Sequence, residues 1–182
     1  MKALFTAAAV VCAIATTASA APSATPYVLS AAHEDFLMQL EDAAGVPGQI
    51  GTAARAAADL LRRHNETEEA VVLPLLGFAE TAVSGTMTSW PARGTMDLRA
   101  ELPGILGGQE EVVIALVELF AAAQEQDRSD ISRLAERVVW HETGDAEILY
   151  PAAILVSSGV ERDMDEASPS DGAGSTEDTL RQ

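Results

Sequence analysis

Residues 64–74 read HNETEEAVVLP and residues 141–151 read HETGDAEILYP. Each stretch sets a histidine four places before a carboxylate, His64 before Glu68 and His141 before Asp145, and ten places before a proline. On a helix, side chains four apart stand on one face about a turn from each other, so each pair can address a single point. Neutral imidazole nitrogen and ionised carboxylate oxygen, without sulfur, are donors suited to iron, manganese or zinc. Singly, each pair reads more readily as a hydrogen-bonded core histidine beside a helix-surface acid than as a pair of metal ligands.

The surroundings favour an inward position. Leu60, Leu61, Val71, Val72 and Leu75 recur at helical spacing around the first pair, and Leu134, Val138, Ile148 and Leu149 around the second. His33 stands likewise among Leu29, Phe36, Leu37 and Leu40, so all three histidines of the chain fall in apolar stripes. Burying three imidazoles and two carboxylates costs several kcal/mol unless each is compensated, and a bound cation supplies that compensation. Inward His and Glu from facing helices is also how dinuclear carboxylate sites are built in bundles.

The elements that must hold these residues are helices. Periodicity predicts helix one over 28–44, helix two over 50–82, helix three over 108–126 and helix four over 129–158, with Ser129 or Asp130 as N-cap of the last. Pro74 and Pro151 each remove a backbone donor late in a helix and should kink or end it. No run alternates with period two, so strands are not expected. Setting HEDFLMQL (33–40) over QEEVVIAL (109–116) gives an offset close to that of the opening pair. The chain therefore reads as two copies of a helical hairpin. The expected fold is all-α, an up-down-up-down four-helix bundle over 28–160.

Composition sets the remaining bounds. The 182 residues are 48% apolar and 4% aromatic, which fits one α-rich domain with a core. Residues 1–20 have the layout of a secretory signal peptide: Lys2, an apolar run too short for the roughly 20 residues of a bilayer span, then Ala18-Ser19-Ala20. With Cys12 removed in that leader the mature chain has no cysteine, which excludes disulfides, thiolate metal sites and thiol nucleophiles. The formal charge is −17, and taking away the +1 of Lys2, the sole lysine, leaves −18; nucleic acid is a poor partner for such a chain. Residues 21–27 read as a linker and 161–182 as a disordered acidic tail. The connection 84–108, rich in Gly and Pro, is long enough to serve as a lid or partner surface. Asn65-Glu66-Thr67 fits a glycosylation acceptor but falls inside a predicted helix.

HNETEEAVVLPLL and HETGDAEILYPA resemble the paired H-x-x-x-E-E-x-x-[LF]-x-P motifs of the hemerythrin-like, or HHE cation-binding, family, and AAHEDF resembles its first-helix histidine. The resemblance covers about residues 28–158. It implies a bundle around a non-haem, dinuclear iron centre, with His33, His64 and His141 as terminal ligands and Glu68 and Asp145 as bridges. Helix three departs from the pattern, since no histidine occurs between 65 and 140. On the helical wheel Gln109 shares its side with Val112, Val113, Leu116 and Phe120, while Glu111 and Glu118 point away. Gln109 through its carbonyl oxygen or Glu110 through its carboxylate would complete the shell, or neither does.

With three histidines rather than five, the resemblance implies iron oxidation, peroxide or nitric-oxide chemistry, or iron holding, rather than reversible oxygen carriage. Manganese or zinc in place of iron is compatible with the donors. The expectation is an exported, periplasmic or extracellular metal-binding protein whose partners are a metal ion and a small gas or oxidant. The competing expectation is a metal-free bundle acting as a structural or partner-binding module, in which the same histidines and acids pair with each other.

Overall fold

The computed structural model describes residues 26–84 and 98–167, and all of its regular structure is helical. The predicted leader and most of the predicted linker lie outside the described residues. So do the middle of the 84–108 connection, with Trp90-Pro91, and the end of the tail. Helix α1 spans Tyr27–Ala44, α2 Gln49–Val71, α3 Leu73–Ser84, α4 Leu98–Glu125 and α5 Ser129–Gly144; a π-helical turn, Asp145–Leu149, then leads into α6, Tyr150–Ala167.

Four rods result. α1 packs on α2, α2 on α4, and α4 on α5, with α1 closing the ring against α5. α3 and α6 extend the second and fourth rods and pack on each other. Two apolar layers hold the rods together. The first contains Leu40, Ile50, Leu61, Val112, Leu116, Leu119, Leu134 and Val138; the second contains Val72, Leu98, Ile105, Tyr150 and Ala153. Along α2 and α5 the chain meets the first layer before the second, whereas along α4 it meets them in reverse, so successive rods alternate in direction.

The turn between α1 and α2 depends on two glycines. Gly48 has φ +87°, in the left-handed region where only glycine is unstrained, and a Cβ on Gly51 would lie 1.9 Å from the Val46 carbonyl oxygen. The α4–α5 turn closes with Asp127 at φ 54°: Arg128 N–H bonds Ala123 O and Asp127 N–H bonds Gln124 O, the pairing that satisfies the last free carbonyls of a helix.

Several boundaries differ from expectation for physical reasons. The fourth α-helix begins ten residues before the predicted Gly108, with Pro103 inside it. Leu98, Leu102 and Ile105 at helical spacing join the second apolar layer, and that burial outweighs the low propensity of Pro103, Gly104 and Gly107. Residue Arg128, not Ser129 or Asp130, stands at the N-cap of α5 and bonds no helix amide; its guanidinium pairs with Asp130, 2.8 Å away. α6 continues to Ala167, into the stretch read as acidic tail. Phe120, read as core-facing, is 38% exposed, because the stripe on α4 follows Val112, Leu116, Leu119 and Ala123 instead.

Both proline-terminated repeats disturb their helix, in different ways. The second rod breaks at Val72, two residues before Pro74, and resumes as α3. The fourth rod widens into the π turn just before Pro151. A π turn carries one extra residue, so everything after it is rotated back by about 100° relative to an unbroken α-helix. Tyr150 is thereby carried inward, to 1% exposure, and Ile148, expected in the buried stripe, is turned outward to 71%.

Candidate metal centre

Between the two apolar layers lies a polar one. On α2 it occupies the stretch between Leu61 and Val72, on α4 the turn between Ile105 and Val112, and on α5 the stretch between Val138 and Tyr150. His33, His64, Asn65, Glu68, Gln109, Glu142 and Asp145 are all buried there, and His141 is nearly so.

Glu68 joins the group together. Its Oε2 lies 3.3 Å from His33 Nε2 and its Oε1 3.3 Å from His64 Nε2. The Tyr150 hydroxyl donates to the same Oε1 and sits 3.2 Å from His64 Nε2. Glu142 Oε2 is also 3.3 Å from His64 Nε2. In the second repeat His141 Nε2 is 3.4 Å from Asp145 Oδ2, and the His141 ring meets that of His33 edge to face at 5.4 Å. One donor atom each from His33, His141 and Asp145 lies within 4.8 Å of the others, so these three residues form a group able to hold a metal ion.

The bonding within this layer is incomplete. His33 Nε2, His141 Nε2, Glu142 Oε2 and Asp145 Oδ2 are buried and make no hydrogen bond. They approach neighbouring donor atoms at 3.3–3.4 Å without hydrogen-bond alignment. That separation is the edge of a coordination polyhedron, since about 2.1 Å bonds in a tetrahedral site place ligand atoms roughly 3.4 Å apart. His33 has the orienting partner that metal-bound histidines usually have: its Nδ1 lies 3.2 Å from Glu69 Oε1, and a proton held there leaves Nε2 with a free lone pair facing Glu68.

Charge is distributed unequally. Burial disfavours the charged form of His64, but the close carboxylates of Glu142 and Glu68 overcome it and raise its pKa to about 9. Burial likewise opposes ionisation of Glu68, yet His33, His64 and Tyr150 hold its pKa down at about 2. His33 moves up in the same way, with Glu68 and Glu69 overcoming its desolvation. In the second repeat the balance reverses. Burial, reinforced by the charges of Glu68 and Glu142, pushes Asp145 up to about 7, and burial pulls His141 down. Burial also pushes the Tyr150 hydroxyl up, reinforced by Glu68, so it stays a donor.

Of the residues singled out by sequence, His33, His64, Glu68, His141 and Asp145 converge in this layer. Gln109 reaches it too, but its amide nitrogen donates to the backbone carbonyl of Glu142. Glu110 is exposed and is not brought to the buried group. Glu142 was missed, although it lies four residues after Val138 and three before Asp145, a helical phase that points it inward. Glu69, half-exposed beside His33, was also missed as a partner. Tyr150 carried no such signal, because α-helical spacing places it off the core face and only the π turn brings it in. Asn65 is 3% exposed with neither amide atom bonded, which removes the Asn65-Glu66-Thr67 acceptor from reach.

No family model, no curated protein and no solved structure matches this chain. Among the described residues, no helix is long and apolar enough to cross a membrane.

Proposed function

We propose that this is an exported, hemerythrin-like metal-binding protein. In this reading it holds non-haem iron as a dinuclear centre and uses it for iron handling or for chemistry on a small gas or oxidant. One observation supports it above the rest. Four buried donor atoms from α1, α5 and the π turn make no hydrogen bond, yet each stands 3.3–3.4 Å from another donor atom of the layer, the edge length of a coordination shell. A cation is the economical way to compensate two unpaired carboxylate oxygens and two imidazole nitrogens in one dry layer.

His33, His141 and Asp145 would hold one ion. His64, Glu68 and Glu142 would hold a second, with Glu68 shared through its two oxygens. Iron at such a place supplies redox and Lewis-acid chemistry toward dioxygen, peroxide or nitric oxide. The chain itself does the positioning: Glu69 orients His33, Tyr150 donates to Glu68 Oε1, and Gln109 ties α4 to the backbone of Glu142. The apolar layers above and below exclude bulk water, which strengthens every charge interaction between them. The leader-like residues 1–20 support export.

A metal-free bundle is the second reading, favoured by the mutual satisfaction of Tyr150, His64 and Glu68. The two are separated by a metal-to-protein ratio and an absorption spectrum of the native, secreted product. About two iron per chain supports the dinuclear reading and one supports a mononuclear centre. None, together with a melting temperature indifferent to iron and chelator, leaves the structural module.

A further inference from the structure

A cleft of about 300 Å³ opens between α4 and the α5–π segment, and it leads to the buried layer. Glu110 of α4 and Glu147 of the π turn line it with exposed carboxylates. Glu142 lines it as well, although it is 1% exposed. The Glu142 Oε2 atom makes no hydrogen bond and stands 3.3 Å from His64 Nε2. Gln109 anchors the Glu142 backbone carbonyl, which fixes the helix while leaving the carboxylate uncommitted. Among the described residues, no basic side chain lines this cleft. A second, smaller cavity of about 130 Å³ lies between α2 and α4 against His64, and its lining residues include Arg63 as well as Glu111.

We infer that the α4–α5 cleft is a loading site for a hard divalent cation such as Fe²⁺ or Mn²⁺. The ion is captured with its water shell between Glu110 and Glu147 and then passes by Glu142 to the buried histidines. This rests on the reading of the buried layer as a metal centre. Three facts carry it: carboxylates at two depths of one opening, an unpartnered buried oxygen at the inner end, and walls that among the described residues carry acids and no cationic side chain. Hydrated divalent ions bind through a few carboxylates while keeping several waters, which suits a wide, acidic entrance better than a closed shell. A cleft of one charge sign with low-dielectric walls also raises the local concentration and arrival rate of the opposite charge, by about 10- to 1,000-fold. In the cavity beside Arg63 the two charge signs are mixed, which weakens such a field.

The test is the rate at which Co²⁺, followed by its visible absorption, enters the secreted protein after metal removal. At low ionic strength the double variant Glu110→Gln/Glu147→Gln is expected to load about tenfold more slowly than the unaltered chain. The gap should close at high salt, where the field is screened. Final Co²⁺ content should be unchanged, and so should the melting temperature of the metal-free form, because both side chains are exposed. Gly104→Leu, which projects into the α2–α4 cavity from a position where a Cβ meets nothing within 4 Å, should leave the rate as it was, with an unchanged melting temperature of its metal-free form as the check on folding. Loading of the double variant at the unaltered rate overturns the entry route while the metal centre stands. A lower final content overturns it too, by making these acids holders of the ion. Slowing by Gly104→Leu alone moves the route to the other side of the bundle. If the unaltered protein takes up no Co²⁺, the metal reading falls first and the entrance with it.

Discussion

The two repeats write nearly the same motif and solve opposite electrostatic problems. In the first, His64 is pushed toward its charged form and Glu68 is held ionised, so the pair carries its own compensation and Tyr150 completes it. In the second, burial pulls His141 toward neutrality and pushes Asp145 toward its protonated form. The positions aligned with Leu73 and Tyr150 show the same division: both are buried, but only Tyr150 brings a polar group, and it serves the first repeat rather than its own. The first repeat is built to be stable as it stands. The second, together with His33, is costly alone and forms a group that could hold a cation.

The largest effect that tests this contrast comes from comparing Glu68 with Asp145 in metal-free protein. Glu68→Ala removes the partner of two histidines and a tyrosine and strands their polar atoms, so denaturant unfolding should show a loss of about 3–5 kcal/mol. Asp145→Asn removes a carboxylate that burial already disfavours. Metal-free stability should then stay within about 1 kcal/mol or rise, while metal affinity collapses. Similar destabilisation by both variants would erase the distinction between the repeats.

The pH dependence separates the metal-free and loaded forms by sign. His64, raised from 6.5 to about 9, contributes stability that is full below pH 6.5 and lost as pH climbs toward 9. Glu68, lowered from 4.5 to about 2, contributes stability present above pH 4.5 and lost on acidification toward 2. Asp145, raised from 3.8 to about 7, penalises the folded state progressively between those values, because the unfolded chain ionises first. The metal-free protein should therefore be most stable near pH 5, with a melting temperature about 5 °C or more lower by pH 8.5. Metal binding needs deprotonated ligands, so the stabilisation from added metal should grow over the same range and vanish below about pH 6. Parallel pH curves with and without metal would mean that the second repeat does not hold the ion.

How much of this could be read in advance follows from which forces act locally. Helix one was legible almost to the residue, because the apolar stripe of Phe36, Leu37 and Leu40 and the break at Gly45 are local signals. The inward turn of His33, His64, Glu68 and Asp145 was legible from the same spacing. The helix through Pro103 and Gly104 was not, because what holds it is contact of Leu98, Leu102 and Ile105 with residues far along the chain. Ile148 was misplaced in phase and Tyr150 was passed over, since a single inserted residue in the π turn changes every later position while leaving the composition ordinary. Glu142 was legible in its spacing but hidden beside the more conspicuous His141.

A smaller effect isolates what Tyr150 does for the first repeat. Tyr150→Phe keeps the ring in the second apolar layer and removes only the hydroxyl that donates to Glu68 and contacts His64. Unfolding stability should fall by about 1–2 kcal/mol, the usual loss for a hydrogen bond to a charged acceptor. Leu73→Ala, at the aligned position, should cost about 2–5 kcal/mol through the cavity alone, with no change in the pH dependence. A pH profile altered by Leu73→Ala as much as by Tyr150→Phe would mean that the two positions act through packing alike.

The smallest expected effect tests the π turn that divides the repeats. If the fourth rod ran as an unbroken α-helix, Leu149 would take the inward place that Tyr150 now occupies, and the outer rim of the stripe would include Ile148. With the extra residue in place, Ile148 is 71% exposed and belongs to neither apolar layer. Ile148→Gln should then change unfolding stability by less than about 0.5 kcal/mol, as surface substitutions do. A loss of 2 kcal/mol or more would mean that the rod keeps its α-helical phase in solution. Tyr150 would then be turned away from Glu68, and the first repeat would lose the hydroxyl that makes it self-sufficient.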